Sequence, residues 1–251
     1  MATAPPPQFS VIVPALNEEA NLDAALSEIV GGFDAAGLSV EILVFDDAST
    51  DRTGAIADAW AARDPRVRAF HNPRRLNIGG IYKAGIRGAR GEHLLLVPGD
   101  NEMLVDEILK GARLADVADV VLFYVTNAAQ ARSGARNFVS GLYVRVVNLM
   151  FNTRFRYTNG TNIFRTSLLR RIAITTNGFS YQTEAVVKAL RSGANFIDVG
   201  IRIKPRGGGR SKAISFRNVR LVVSALARLW LEVMVRERGH YRHRGRRLAT
   251  Y

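Results

Sequence analysis

Cysteine is absent from all 251 residues. That excludes a disulfide framework, a thiolate nucleophile and any Cys-based metal site. No uninterrupted apolar run approaches the ~20 residues that span a bilayer, so no transmembrane segment is expected. The start, Met1-Ala2-Thr3-Ala4-Pro5-Pro6-Pro7, lacks the charged-then-apolar order of a signal peptide and reads as a flexible arm over residues 1–8. No Gly-x-Gly-x-x-Gly follows the first apolar run, which argues against a dehydrogenase, and no Walker P-loop occurs. Negative charge is in deficit: 22 Asp and Glu stand against 35 Lys and Arg, a net charge of +13. The excess gathers from Arg202 onward and ends in Arg236, Arg238, Arg242, Arg244, Arg246 and Arg247. Such a block is either a solvated tail or the counterpart of an anion: phospholipid, nucleic acid or a phosphorylated acceptor. No reader motif accompanies it, so nucleic acid is not the expected partner.

What is present is enough apolar material, 47% of residues, for one large α/β domain. Short apolar runs at Phe9–Pro14, Val40–Phe45, Val67–Phe70 and His93–Val97 read as buried strands. Helical spacing fills the gaps at 18–36, 51–63 and 78–90, with Gly91 read as the last helix's stop. A helix at 105–114 and a strand at 117–125 follow. Asn137–Phe151 is apolar on most faces, and 152–161 reads as a polar turn. A helix at Tyr181–Arg191, a strand at Phe196–Ile203 and a final helix at Phe216–Val235 complete the pattern. A predominantly parallel sheet is implied, with its strand ends converging on one crevice.

Each of the first four runs ends in a polar cluster. Asp46-Asp47 after the second could accept hydrogen bonds from a base and a ribose. Asp51 reads instead as a helix cap. Asp100 and Glu102, two apart after the fourth run, could ligate one hard divalent ion, Mg2+ or Mn2+. Pro205-Arg206-Gly207-Gly208-Gly209-Arg210-Ser211-Lys212 is a glycine-rich basic loop suited to an anion. Glu184 is either a general base or the i+4 partner of Lys188. His240 and His243 lie in the basic tail with no acidic set beside them and receive no metal role.

In order, these motifs resemble glycosyltransferase family 2: Val11-Ile12-Val13-Pro14-Ala15-Leu16-Asn17-Glu18, then Asp46 to Asp51, then Asn77-Ile78-Gly79 with Ala84-Gly85. Gly178-Phe179, Gln182, Glu184, Lys188-Ala189-Leu190, Gly193, Val199, Ile201, Arg202 and Arg206 to Lys212 resemble its dolichol-phosphate mannose synthase, or polyprenyl-phosphate glycosyltransferase, branch. The resemblance implies a GT-A, Rossmann-like α/β fold over residues 9–212, followed by an amphipathic helix at 213–238 and a basic tail at 239–251. It implies that Pro14, Leu16, Asn17, Glu18, Asp46, Asp47, Asn77 and Gly79 bind the nucleotide. Arg202, Arg206, Arg210, Ser211 and Lys212 would hold donor or acceptor phosphates, and Asp100 with Glu102 the metal. The chain departs from the family's Asp-x-Asp motif by having Pro98 at its first position.

The expected reaction is an inverting transfer of a sugar from a GDP- or UDP-linked donor to a polyprenyl phosphate. Two alternatives stay open: a saccharide or protein hydroxyl as acceptor with Glu184 as base, and a nucleotide-sugar-binding homologue without catalysis. The expected location is cytoplasmic, peripheral at the membrane's cytoplasmic face. The helices at Asn137–Phe151 and Phe216–Val235 could lie on the membrane surface, or else be core or dimer helices; a homo-oligomer or a membrane partner is a further candidate.

Overall fold

Period-two alternation within the strands decides the layering. The computed structural model describes residues 5–128, 134–158, 160–178, 180–204 and 216–251, apart from the side chains of 135, 136, 216–219 and 221. Eight strands are described: β1 Phe9–Ala15, β2 Val40–Asp46, β3 Val67–His71, β4 His93–Leu96, β5 Val120–Val125, β6 Ile163–Arg165, β7 Phe196–Ile201 and β8 Arg247–Thr250. They form one sheet in the order β3-β2-β1-β4-β6-β5-β7-β8. Only β6 runs against its neighbours β4 and β5.

Ile12, Leu43, Phe45, Leu94 and Leu96 face one side of the sheet. Val11, Val13, Ile42, Val44 and Leu95 face the other. On the first side lie α3 (Ile78–Gly88), α5 (Gly134–Phe151), α6 (Thr166–Arg171), α7 (Tyr181–Arg191) and α8 (Phe216–Trp230), the last running into a π turn at Leu231–Arg236. The second side carries α1 (Leu22–Ala35), α2 (Thr53–Arg63) and α4 (Val105–Ala112). Because helices cover both faces, β2 is buried throughout, which is why the strands read as continuous apolar runs. Each fully buried Leu, Ile or Phe contributes roughly 1.5–3 kcal/mol.

Several boundaries move for identifiable reasons. The first helix begins at Leu22, because residues 16–21 form the loop of the site. The third helix ends at Gly88, so Gly91 is not its stop. A Cβ on Gly91 would lie 2.6 Å from the Phe9 carbonyl carbon and the Ser10 nitrogen, and its N–H donates to Ser10 Oγ at 2.8 Å. Glycine is needed there so that the chain can pass close to β1. β5 starts at Val120, after a 3-10 turn at Ala115–Val117.

β6, α6 and β8 had no counterpart in the sequence reading. β6 has only 3 residues. β8 lies within the arginine-rich tail. Its Arg247 Nε approaches Asp198 Oδ2 at 2.7 Å, and Asp198 on β7 is wholly buried. A buried carboxylate requires a cation nearby, and the tail supplies it. Tyr241, 1% exposed, also packs into the core.

Candidate active site

The strand order reverses between β1 and β4: the chain leaves β1 toward β2 and returns to its other side as β4. That reversal opens a crevice at the carboxyl ends of the strands. Four loops surround it, and each holds one non-glycine residue at positive φ: Asn17 (55°), Ala48 (61°), Asn77 (60°) and Asn101 (54°). Asparagine tolerates this left-handed backbone better than most residues. Pro14, near the end of β1, accepts the Gly99 N–H at 3.1 Å, which sets the β4 loop against the β1 loop.

The β1 and β2 loops are laced together. Asn17 N–H donates to Ser49 Oγ at 3.0 Å, and Asn17 Oδ1 accepts from Thr50 N–H at 2.9 Å. Glu18 N–H donates to Thr53 Oγ1 at 2.8 Å. Leu16 is half-buried between them. Asp51 accepts from Thr53 N–H at 2.9 Å, the capping role read from the sequence, exercised one residue ahead of the N-cap position Arg52.

Asp46 and Asp47 are buried and already engaged. Asp46 accepts from Ser49 N–H at 3.0 Å and pairs with His71 Nδ1 at 3.2 Å, while His71 Nε2 lies 2.9 Å from Asp58. Burial works to raise the Asp46 carboxyl, but the bonds from Ser49 and His71 prevail and hold it below the ordinary range. Hydrogen bonds to Asp58 and then Asp46 raise His71. Asp47 accepts from Asn72 Nδ2 (3.0 Å), Leu76 N–H (2.7 Å) and Asn77 N–H (3.1 Å). Its carboxylate shapes residues 72–77, which enter α3.

Glu18 behaves differently. Burial raises its carboxyl, Asn21 partly offsets this, and the carboxylates of Asp100, Asp51 and Glu102 push it up further. Four acidic side chains from three loops therefore share one region. Asp100 Oδ1 accepts the Glu102 N–H at 3.1 Å, so the two expected ligands lie on one tight turn. The donors are all hard oxygens, which fits Mg2+ or Mn2+ and disfavours softer ions.

Glu184 is 2% exposed. Its Oε1 accepts from Thr175 N–H (2.9 Å), Thr175 Oγ1 (3.0 Å) and Lys188 Nζ (2.8 Å), and its Oε2 from Thr176 N–H (2.9 Å). Desolvation works to raise it, yet Lys188 and the backbone donors hold it below the ordinary range. Glu184 thus makes the i+4 pairing with Lys188, and its role as a base belongs to the alternative with a hydroxyl acceptor. What it positions is the 175–177 segment. Asn177 O accepts the Gly79 N–H at 3.0 Å, and a Cβ on Gly79 would lie 2.5 Å from Thr176 O. Gly79 is required for that close approach.

Arg202 is held by Glu107, whose Oε1 accepts its Nε at 3.0 Å. Arg206, Arg210, Ser211 and Lys212, like Phe179, lie outside the described residues. Lys204 went unnoticed in the sequence. Its Nζ donates to Asn101 O at 3.1 Å and lies 3.5 Å from Glu28, so a cation stands beside the Asp100-Asn101-Glu102 turn. Its only signal was its position just before the basic loop.

Residues 10–175 match the family model described as Glycosyl transferase family 2. The polyprenol monophosphomannose synthase of Mycolicibacterium smegmatis is 32% identical over 243 residues, covering 87% of this chain and 86% of that protein. The undecaprenyl-phosphate mannosyltransferase of Micrococcus luteus is 30% identical over 217 residues, with 80% and 85% coverage. Glucosyl-3-phosphoglycerate synthase from Mycobacterium tuberculosis, solved with Mg2+ and uridine diphosphate, superimposes with a TM-score of 0.67 at 17% identity, over 89% of this chain and 79% of that one. The same enzyme with Mn2+, UDP-glucose and phosphoglyceric acid gives a TM-score of 0.65 at 17% identity, with 89% and 80% coverage. With the matched stretch spanning the sheet's reversal and all four site loops, the chain belongs to glycosyltransferase family 2.

Proposed function

We propose that this glycosyltransferase moves a sugar, with inversion, from a nucleoside-diphosphate sugar to a polyprenyl phosphate at a membrane surface. The observation that carries the reading is the convergence of Glu18, Asp51, Asp100 and Glu102 at the β1–β4 crevice. Asp100 and Glu102 would hold Mg2+ or Mn2+, which supplies charge neutralisation for the departing diphosphate. Pro98 removes the first carboxylate of the usual motif, and Glu102 provides the second ligand from the far side of Asp100. The β1 and β2 loops, with Asn17 and Asp46, would bind the nucleoside. Lys204, Arg202 and the 206–212 loop would bring positive charge to the phosphates.

In the transfer, an acceptor phosphate oxygen bonds to the anomeric carbon as the bond to the donor diphosphate breaks, and the diphosphate leaves with the electron pair. The nucleophile is already anionic at neutral pH, so no side chain has to remove a proton. That agrees with a Glu184 occupied on both oxygens.

The lipid part of the reading rests on α5 and α8, which pack against each other. Val144, Val147 and Phe151 of α5 turn into the core with Leu226 and Leu229 of α8. Phe138, Leu142, Val146 and Leu149 on α5 face outward, Leu149 at 85% exposure, as do Val223 and Trp230 on α8. Arg145, Arg220 and Arg228 are exposed among them. Asn137 Nδ2 donates to Ala128 O at 2.9 Å, which ties the start of α5 to the loop leaving β5, on the crevice side of the sheet. An apolar strip edged by arginines suits an anionic bilayer surface. No described helix is long and apolar enough to cross a membrane.

A thermal-shift panel of GDP- and UDP-sugars with and without Mn2+ tests the donor site, since a ligand of the folded state raises the midpoint by mass action. Metal-dependent stabilisation by one nucleotide class is expected. Stabilisation indifferent to metal would remove the role given to Asp100. Sedimentation with anionic vesicles tests the surface: Phe138→Glu with Leu149→Glu should abolish binding, whereas Ala24→Glu on exposed α1 should not.

A further inference from the structure

The opposite edge of the sheet, where the strands begin, carries a second polar cluster. A cavity of about 70 Å3 there is lined by residues including Phe9, Glu92, His93, Arg113 and Asp116. It lies about 20 Å from the crevice, the length of β1. His93 opens β4, is 3% exposed, and packs on Phe9 with ring centroids 5.4 Å apart. Its Nε2 has no hydrogen-bond partner among the described residues. The nearest carboxylate oxygen, Asp116 Oδ1, is 3.7 Å away, too far for a hydrogen bond. The buried Nε2 and the Asp116 carboxylate stand opposite one another, placed as two ligands of one cation would be.

Glu92 completes the set: one ligand atom each from Glu92, His93 and Asp116 lies within 4.8 Å of the others. Two donors on a tetrahedral ion at about 2.05 Å stand about 3.4 Å apart, close to the 3.7 Å observed. Arg165 pairs with Glu92 Oε1 at 2.6 Å and lies 3.8 Å from Asp119, so Asp119 offers that arginine a second partner. Arg113 stands at the cavity wall. One imidazole and two carboxylates suit Zn2+ better than Mg2+ or Ca2+.

We propose that Glu92, His93 and Asp116 form a zinc site, separate from the acidic crevice, that pins the start of β4 to the 115–117 turn. The test uses the full chain carrying Asp100→Ala, to disable the crevice site, stripped of metal and titrated with Co2+, whose visible spectrum reports imidazole ligation. One equivalent should bind with a low-coordinate spectrum, be displaced by Zn2+, and raise the melting midpoint. Asp116→Asn, at an exposed position that does not burden folding, should weaken Co2+ binding by at least about tenfold, as should His93→Ala. If His93→Ala fails to fold, Asp116→Asn and Glu92→Gln decide. Failure of the Asp100→Ala chain to bind an equivalent, or unchanged affinity in Asp116→Asn, overturns the site.

Discussion

Asp47 and Glu184 differ from Glu18 in how their charge is held. The first two are buried and ringed by donors: three bonds reach Asp47 and four reach Glu184. Glu18 is raised by burial, and its neighbours Asp100, Asp51 and Glu102 are themselves carboxylates. Like charges gathered at a crevice are costly in the bare protein and favourable once a cation arrives. Carboxylates satisfied by the chain hold its loops, whereas in the proposed function Glu18, Asp100 and Glu102 serve the ligand.

Removing one acid of each kind should separate the two roles. Asp100→Ala is expected to lower turnover roughly 10^3-fold, since charge stabilisation by a metal is worth several kcal/mol. Its urea midpoint should stay within error of the parent. Asp47→Ala should do the reverse. Stranding the N–H groups of Leu76 and Asn77 costs about 3 kcal/mol in urea unfolding, at roughly 1–3 kcal/mol per buried group. Equal loss of stability in both variants would erase the distinction.

Glu184→Gln sharpens the comparison. It weakens the Lys188 pair, which Glu232 at 2.6 Å partly preserves, so a loss of about 2 kcal/mol in stability is expected. Turnover per folded molecule should change by less than about threefold, because no proton is taken by this group. A loss of several orders at full folding would restore Glu184 as the base and point to a hydroxyl acceptor.

The smallest effect concerns Asp46 and His71. Asp46 is lowered on folding, so its contribution is present above the ordinary 3.8 and is lost as pH falls through its folded value. His71 is raised, so its contribution is full below 6.5 and is lost as pH rises through its folded value. The pair is therefore strongest between those limits. His71→Gln should lower the melting midpoint more at about pH 5.5 than at about pH 8.5. An equal drop at both would show that the charge of His71 is irrelevant.

Much of the fold was legible because β1, β2 and β4 are buried almost throughout and largely apolar, whereas the edge strand β3 buries only Val67. β6 was not, since 3 residues carry no periodicity. β8 was not, since Arg247 looks like a solvated tail until Asp198 is seen opposite it. In the site, the motif order revealed which loops meet, but not how the carboxylates divide. Whether Asp47 faces a ligand or the N–H groups of Leu76 and Asn77 depends on a loop path set by Asn77 at positive φ. The pairing of Glu184 with Lys188 follows from helical spacing, whereas its hold on Thr175 and Thr176 is a tertiary contact with no local signal.

The most direct measurement is transfer of labelled sugar from a nucleotide donor to polyprenyl phosphate in anionic vesicles, read by extraction into organic solvent. Label should enter the organic phase with Mg2+ or Mn2+ present, and fail to do so with a chelator or in Asp100→Ala. Label that stays aqueous, or reaches the lipid undiminished under chelation, contradicts a cation held by Asp100 in the service of a lipid phosphate acceptor.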